Sequence, residues 1–408
     1  MSQILELEDE REEWEEELGD DDEQDESDTS HFDIKQISKI VVYGTDWTTE
    51  TILNQLTREN INLNPSFQRR DAWNIIRKSR FIESLILGLP VPQIVLVERE
   101  KGKYLVLDGK QRLLTILQFY NQSKSVNNNF KLKGLEFLSE LNGLKWENFD
   151  PLHRDTLDAL DNQTIRTTII RNWQSEDFLY KVFLRLNVEN TPLSPQELRQ
   201  ALNPGKFTDY IDDWSNKSQG LKYIFPKQPD FRMRDNQLLL KYVAFQYFLP
   251  AYRGSLKAFL DETCKKLNKA WEKDQDNIEK TLQQFEDAMM LTIKIFGQDN
   301  FGRIWLKNKE KYEKNRSYSL LEAILFYFSD PVIRERVNEV DPTKIEQAFK
   351  TLCSSSQDFI NSLKSTTNTI AKTYTRLALW GKALREVLKI DFNIPELIDN
   401  RIFFSGFR

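Results

Sequence analysis

Leu107-Asp108-Gly109-Lys110-Gln111-Arg112 is the stretch of this chain best equipped for chemistry. It sets a carboxylate, an ammonium and a guanidinium beside a glycine, where a strand-like run (Tyr104 to Leu107) gives way to a helix-like one (Leu113 to Tyr120). The first amides of a helix lack intrahelical acceptors and so offer themselves to an anion, while glycine lets a ligand approach the backbone closely. Arginine adds a planar fork matched to phosphate oxygens. The chemistry indicated is phosphate binding. A second Gln-Arg pair, Gln68-Arg69, lies upstream. A plainer reading of the same residues makes Asp108 a helix cap and Gln111 its reciprocal capping-box partner. That reading accounts for Asp108 and Gln111 but asks nothing of Gly109, Lys110 or Arg112, and on residue types alone both stand.

The elements that must position this stretch are legible on either side of it. Folded sequence begins near Phe32, with a β-branched strand over Ile37 to Tyr43 and a short helix opened by Thr48-Thr49-Glu50-Thr51 and running through Leu56. After Asn64-Pro65 and Phe67-Gln68-Arg69 comes a helix whose apolar face carries Phe81, Ile82, Leu85 and Ile86 and which stops at Gly88. Leu89-Pro90-Val91-Pro92 cannot continue it. Ile94 to Glu98 and Tyr104 to Leu107 then read as a hairpin turning at Gly102. Further on, Val182, Phe183 and Leu186 suit a helix face, and Thr191-Pro192-Leu193-Ser194-Pro195 suits a loop ending in a cap, with Ser194 at the cap and Glu197 in the third helical position.

Beyond residue 210 the chain reads as helical: Gln237 to Phe248, Leu256 to Leu267, Trp271 to Phe296, Leu320 to Phe328, Thr343 to Leu352 and Ala371 to Leu388. Its aromatics fit core positions. A basic loop with Lys307, Lys309, Lys311, Lys314 and Arg316 is diluted by Glu310 and Glu313; it reads as solvated surface, with a DNA backbone as the sharper alternative.

At 408 residues the chain suggests two domains, and 39% hydrophobic residues suffice for their cores. Cys264 and Cys353 lie far apart and show no paired spacing, so neither a disulfide framework nor a sulfur-rich metal site is indicated. No signal-like or membrane-spanning run occurs, which points to a cytoplasmic protein with no membrane partner. The formal charge of −6 hides a split: residues 6 to 28 hold sixteen Asp or Glu and one Arg, leaving about +9 on the rest of the chain. Like-charge repulsion predicts a disordered acidic tail over 1–31.

Phe67-Gln68-Arg69 with Trp73, the Gly88 to Pro92 turn and the Leu107 to Arg112 hexad resemble the N-terminal domain of GmrSD-type restriction proteins (domain of unknown function 262), in the ParB and sulfiredoxin-like superfamily. Val182 to Asn187 and Thr191 to Arg199 resemble the second block of the same family, in the same order. The resemblance implies an α+β, ParB/sulfiredoxin-like nucleotide-binding domain over 32–205, followed by a mainly helical domain over 206–408. It also implies binding of a nucleoside triphosphate with Mg2+, and in several members its hydrolysis, linked to restriction or anti-phage defence and possibly stimulated by DNA.

Carried over residue by residue, the resemblance puts Asp108, Gln111, Arg112 and Gln68 in catalysis and Arg69, Gly109, Lys110, Arg185 and Asn187 in nucleotide binding, with Asp108 the one metal contact. Arg69 and Arg112 would hold phosphate oxygens, while Gln68 and Gln111 would place a water or the nucleotide. The family pattern is Asp-Gly-Gln-Gln-Arg, so Lys110 is a departure that weakens the case for catalysis more than for binding. Well-known members add a C-terminal histidine-dependent nuclease, but the histidines here are His31 and His153. Cutting would therefore need a separate nuclease or defence partner, or an unrelated carboxylate site. A second class stays open, in which a ParB-like module senses nucleotide or DNA without turnover.

Overall fold

The computed structural model describes residues 39–61, 63, 73–121, 129–149, 153–173, 178–179, 182, 194–364 and 367–404. The acidic segment, His31, Gln68, Arg69, Arg185 and Asn187 lie outside them. The chain divides into two compact units, one running over Ser30–Leu202 with Phe231–Met233, the other over Asn203–Asp230 and Arg234–Arg408. A mixed α+β region is followed by a mainly helical domain.

The first unit is built on a four-stranded sheet of Val41–Thr48 (β1), Ile94–Glu100 (β2), Lys103–Asp108 (β3) and Thr164–Arg171 (β4), in the order β1-β4-β2-β3. β2 runs antiparallel to β3, the hairpin read from sequence, and parallel to β4, while β1 runs antiparallel to β4. Side chains alternate across a strand, and β2 uses both faces. Ile94 and Leu96 join a core with Leu113, Ile116, Phe119 and Ile169, whereas Val95 and Val97 join another with Leu105, Leu107, Ile170 and Leu198. A strand buried on both faces reads as an unbroken apolar run, which is what Ile94 to Val97 is.

Helices on the first of these faces are Thr49–Thr57 (α1), Ile75–Ile86 (α2), Lys110–Phe119 (α3) and Arg154–Asn162 (α4). Thr48 caps α1 through its hydroxyl, 3.1 Å from the Thr51 amide. α2 ends at Leu87, and Gly88 takes φ +67°, a conformation that costs glycine nothing. Pro195–Leu202 (α5) contributes Leu198, Ala201 and Leu202 to the opposite face, and Arg99 of β2 donates to the Ala201 and Leu202 carbonyls at its end.

Glu83 of α2 is 3% exposed, and its carboxylate accepts the amides of Glu136, Phe137 and Leu138 at 3.1, 2.7 and 2.8 Å. It orders the loop that follows α3.

The first strand begins later than the Ile37–Tyr43 expectation, at Val41, and continues to Thr48 despite Gly44 and Asp46. Cross-strand pairing of Val41 with Arg171 through Thr48 with Thr164 overrides those weak local preferences.

The helical unit comprises Lys206–Ser215 (α6), Gln219–Lys222 (α7), Arg234–Phe248 (α8), Leu256–Phe296 (α9), Tyr318–Phe328 (α10), Pro331–Glu339 (α11), Pro342–Ser355 (α12), Gln357–Lys364 (α13) and Ile370–Leu388 (α14). Two hairpins accompany them, Arg303–Leu306 (β5) with Lys311–Arg316 (β6) and Glu396–Ile398 (β7) with Arg401–Phe403 (β8). The two helices expected at 256–267 and 271–296 are one helix of 41 residues. No glycine or proline interrupts them, and Asn268 between them accepts the Phe207 and Thr208 amides at the start of α6. Gly205 is the N-cap there, and a Cβ on it would lie 2.3 Å from Asn268.

In the core of this unit Glu322 of α10 meets Arg376 of α14 at 2.6 Å and Lys241 of α8 at 3.1 Å. Burial works to raise the Glu322 carboxyl, but the two cations outweigh it and hold it below the ordinary range. Among the described residues no helix is long and apolar enough to cross a membrane.

Burial also works to raise Glu83, yet the three amides, with Arg80, keep its pKa below the usual carboxylate value. A depressed folded-state pKa contributes stability that is complete above the unfolded value of about 4.3 and is lost as pH falls through the folded one. Glu83→Gln is expected to cost about 1–3 kcal/mol at neutral pH. In urea unfolding followed against pH, its deficit relative to wild type should shrink below about pH 4; a deficit independent of pH would refute the carboxylate's role.

Candidate functional site

The hexad occupies the turn from β3 into α3, as its composition suggested, but the turn is made differently from a capping box. The N-cap of α3 is Gly109, at φ +98°, and not Asp108. A Cβ at Gly109 would lie 3.0 Å from Ile94 Cγ1, so both backbone and space call for glycine. The Asp108 cap of the plainer reading is not made, because the carboxylate is drawn one turn onward: Oδ2 accepts from Arg112 Nη2 at 2.8 Å. Gly109 itself brings no side-chain acceptor to the first turn of α3, and the positive end of that helix dipole lies at the loop.

Arg112 is 7% exposed and pinned from two sides, since Nη2 also donates to the Gln93 carbonyl at 2.8 Å. Its buried Nε has no hydrogen-bond partner among the described residues. Gln93 is held in turn by its side chain, whose Oε1 accepts from Thr168 Oγ1 of β4 at 3.0 Å. Gln111 lies in the first turn, and its carbonyl accepts from Thr115 Oγ1 at 2.7 Å.

Lys110 points elsewhere. Its ammonium, 6% exposed, is bound by Glu197 Oε1 of α5, itself 3% exposed. The other Glu197 oxygen accepts the Ser194 amide at 2.7 Å, and Ser194 Oγ accepts the Glu197 amide at 3.1 Å, which is the capping box read from sequence at this second position. Ser194 Oγ also donates to the Arg232 carbonyl at 2.6 Å. One buried ion pair thus ties the hexad to the end of the second block.

The structure keeps Asp108, Gly109, Lys110, Gln111 and Arg112 together in one turn; Gln68, Arg69, Arg185 and Asn187 fall outside the described residues, so their placement adds nothing here. Two supports went unnoticed in the sequence. Gln93 acts through its backbone carbonyl, which has no residue signature, and Glu197 was read as a cap without its partner. Among the described residues no group of three His, Cys, Asp or Glu side chains is placed to share a metal. His153 stands at the start of α4 without making a side-chain cap, its ring 5.8 Å from that of Phe149.

Residues 49–203 match the family model described as GmrSD restriction endonuclease, N-terminal domain. This segment is a GmrSD N-terminal domain. The match ends beside Leu202, where the α+β unit ends, and contains both the hexad and the Ser194 to Arg199 block. No curated protein and no solved structure matches the chain.

Within the GmrSD N-terminal domain, removing one member of the buried pair strands the other. Lys110→Gln is expected to destabilise the domain by about 3–5 kcal/mol, the cost of an uncompensated buried carboxylate. Lys110→Gln combined with Glu197→Gln should recover most of that loss, because two neutral amides can hydrogen-bond where two charges did. A double-mutant cycle on urea midpoints reads the coupling, and additive losses would show that the pair carries no such constraint.

Proposed function

We propose that the GmrSD N-terminal domain binds a nucleoside triphosphate at the β3–α3 turn and hydrolyses it in the service of restriction or defence against foreign DNA. The observation carrying this reading is the clamped Arg112 at a helix start: a guanidinium oriented by Asp108 and the Gln93 carbonyl beside the first-turn amides of α3. The family's description supplies the restriction context.

In this reading Arg112 and Arg69 hold phosphate oxygens and the first turn of α3 adds its amides and dipole. Lys110 contributes its backbone, its ammonium being engaged by Glu197. Gln68 and Gln111 place the attacking water or the nucleotide, and Arg185 and Asn187 form a second wall. Asp108 keeps Oδ1 beside its Arg112 contact as the oxygen available to a metal or a water. A lone carboxylate does not make a magnesium cage, and the donor set fits an ion delivered with the nucleotide phosphates, whose charge it would offset. A separate nuclease or defence protein would perform any cutting, and DNA would act as a stimulant.

A second reading, binding without turnover, draws on the same geometry. An aspartate with Oδ2 already engaged by Arg112 has one oxygen fewer to offer an attacking water. Hydrolysis of each nucleoside triphosphate, with and without duplex DNA, separates the two. Turnover that falls by about 100-fold or more in Asp108→Asn, with nucleotide still bound, supports the enzyme. Binding without turnover in the wild type selects the sensing module. Absence of binding to every nucleotide, by a protein with cooperative unfolding, defeats both readings.

A further inference from the structure

The basic stretch around Lys307 is not a loop but a hairpin fixed to α12. β5 and β6 pair with Trp305 opposite Tyr312 and Leu306 opposite Lys311. The two rings meet edge to face at 5.2 Å, and Lys350 of α12 lies 4.5 Å from the first ring centroid and 5.4 Å from the second. Tyr312 donates to Glu346 of α12 at 2.7 Å. Lys307, Asn308, Lys309 and Glu310 form the exposed turn.

Folding also redistributes the charge that sequence alone averages out. Glu313 is taken by Lys364 at 2.7 Å and Glu346 by Lys350 at 2.8 Å. Arg316 turns inward to the Phe301 and Gln298 carbonyls, and Arg303 to the Glu313 carbonyl. Lys307, Lys309, Lys311 and Lys314 are all exposed and take part in no ion pair among the described residues. Of the two carboxylates that dilute this stretch in sequence, Glu310 alone still faces them.

We propose that this hairpin is a contact surface for the phosphate backbone of double-stranded nucleic acid. Four ammoniums on a rigid ribbon repel one another, and a polyanion relieves that repulsion while releasing its own condensed counterions. Single strands are held largely by stacking on aromatic faces, and here Trp305 and Tyr312 are engaged by each other and by Lys350. Surface binding to a membrane calls for apolar side chains at the tip, where this turn has none. The contact reads charge and not sequence.

The test is fluorescence anisotropy of the full chain with a labelled DNA duplex, without nucleotide, across a salt series. Four phosphate contacts predict a slope of log affinity against log salt of about −3.6, or about a 150-fold loss from 50 to 200 mM. Each single Lys→Gln change at 307, 309, 311 or 314 should flatten the slope by about 0.9, and Glu310→Lys should strengthen binding. The quadruple Lys→Arg variant should retain affinity, and all variants should keep the wild-type unfolding temperature. Wild-type slope and affinity in the quadruple Lys→Gln variant would overturn the proposal, as would no duplex binding by the wild type at 50 mM salt. So would tighter binding to the single strand, or to phosphatidylserine vesicles, than to the duplex. Because nucleotide is left out, failure here leaves the reading of the β3–α3 turn unaffected.

Discussion

A buried ammonium and a buried carboxylate 87 residues apart, Lys110 and Glu197, set the constraint on which the β3–α3 turn depends. Removing two charges from water costs several kcal/mol each, and only close mutual pairing with further hydrogen bonds offsets it. Glu197 meets that condition by using one oxygen for Lys110 and the other for the Ser194 amide. The geometry of the pair therefore fixes two helix starts at once, the first turn of α3 and the cap of α5.

Around that pair, each polar group in the turn has a distinct task. Arg112 is oriented by a carboxylate and a main-chain carbonyl. Gly109 permits the left-handed turn and the close packing of Ile94 that a Cβ would block. The contrast with Gly205 is instructive, because both glycines cap helices without a side chain of their own. At α6 the missing acceptor is supplied by Asn268 from a neighbouring helix, and the glycine is required because that side chain fills the space of its Cβ. The helical unit also pairs charge in its core, where Glu322 forms ion pairs with both Arg376 and Lys241.

Much of the fold was legible because its signals are local. The β2–β3 hairpin, the stop of α2 at Gly88, the Thr48 cap of α1 and the Ser194–Glu197 capping box each follow from residues within a few positions of one another. The capping box that residue types also allowed at Asp108 is not formed, for a related reason. Asp108 had two partners within local reach, the helix amides and Arg112, and the glycine turn between them favoured the guanidinium. The join of two helices into α9 also escaped the sequence, since polar residues at the junction look like a break until Asn268 is seen to serve α6.

The sequence by itself determined which residues could do chemistry: their identity and contiguity put Asp108, Gly109, Lys110, Gln111 and Arg112 in a single strand-to-helix turn, and covalent connection alone keeps them there. It determined the unbroken apolar run, Ile94 to Val97, that buries β2 on both faces. Tertiary structure decided what each charge is paired with. Lys110 faces Glu197 and not the turn's exterior, Arg112 faces Gln93 as well as Asp108, and Glu313 is withdrawn from its lysine neighbours by Lys364. Charge pairing depends on distance in space and on the removal of water, and neither is written in the spacing of residues along the chain.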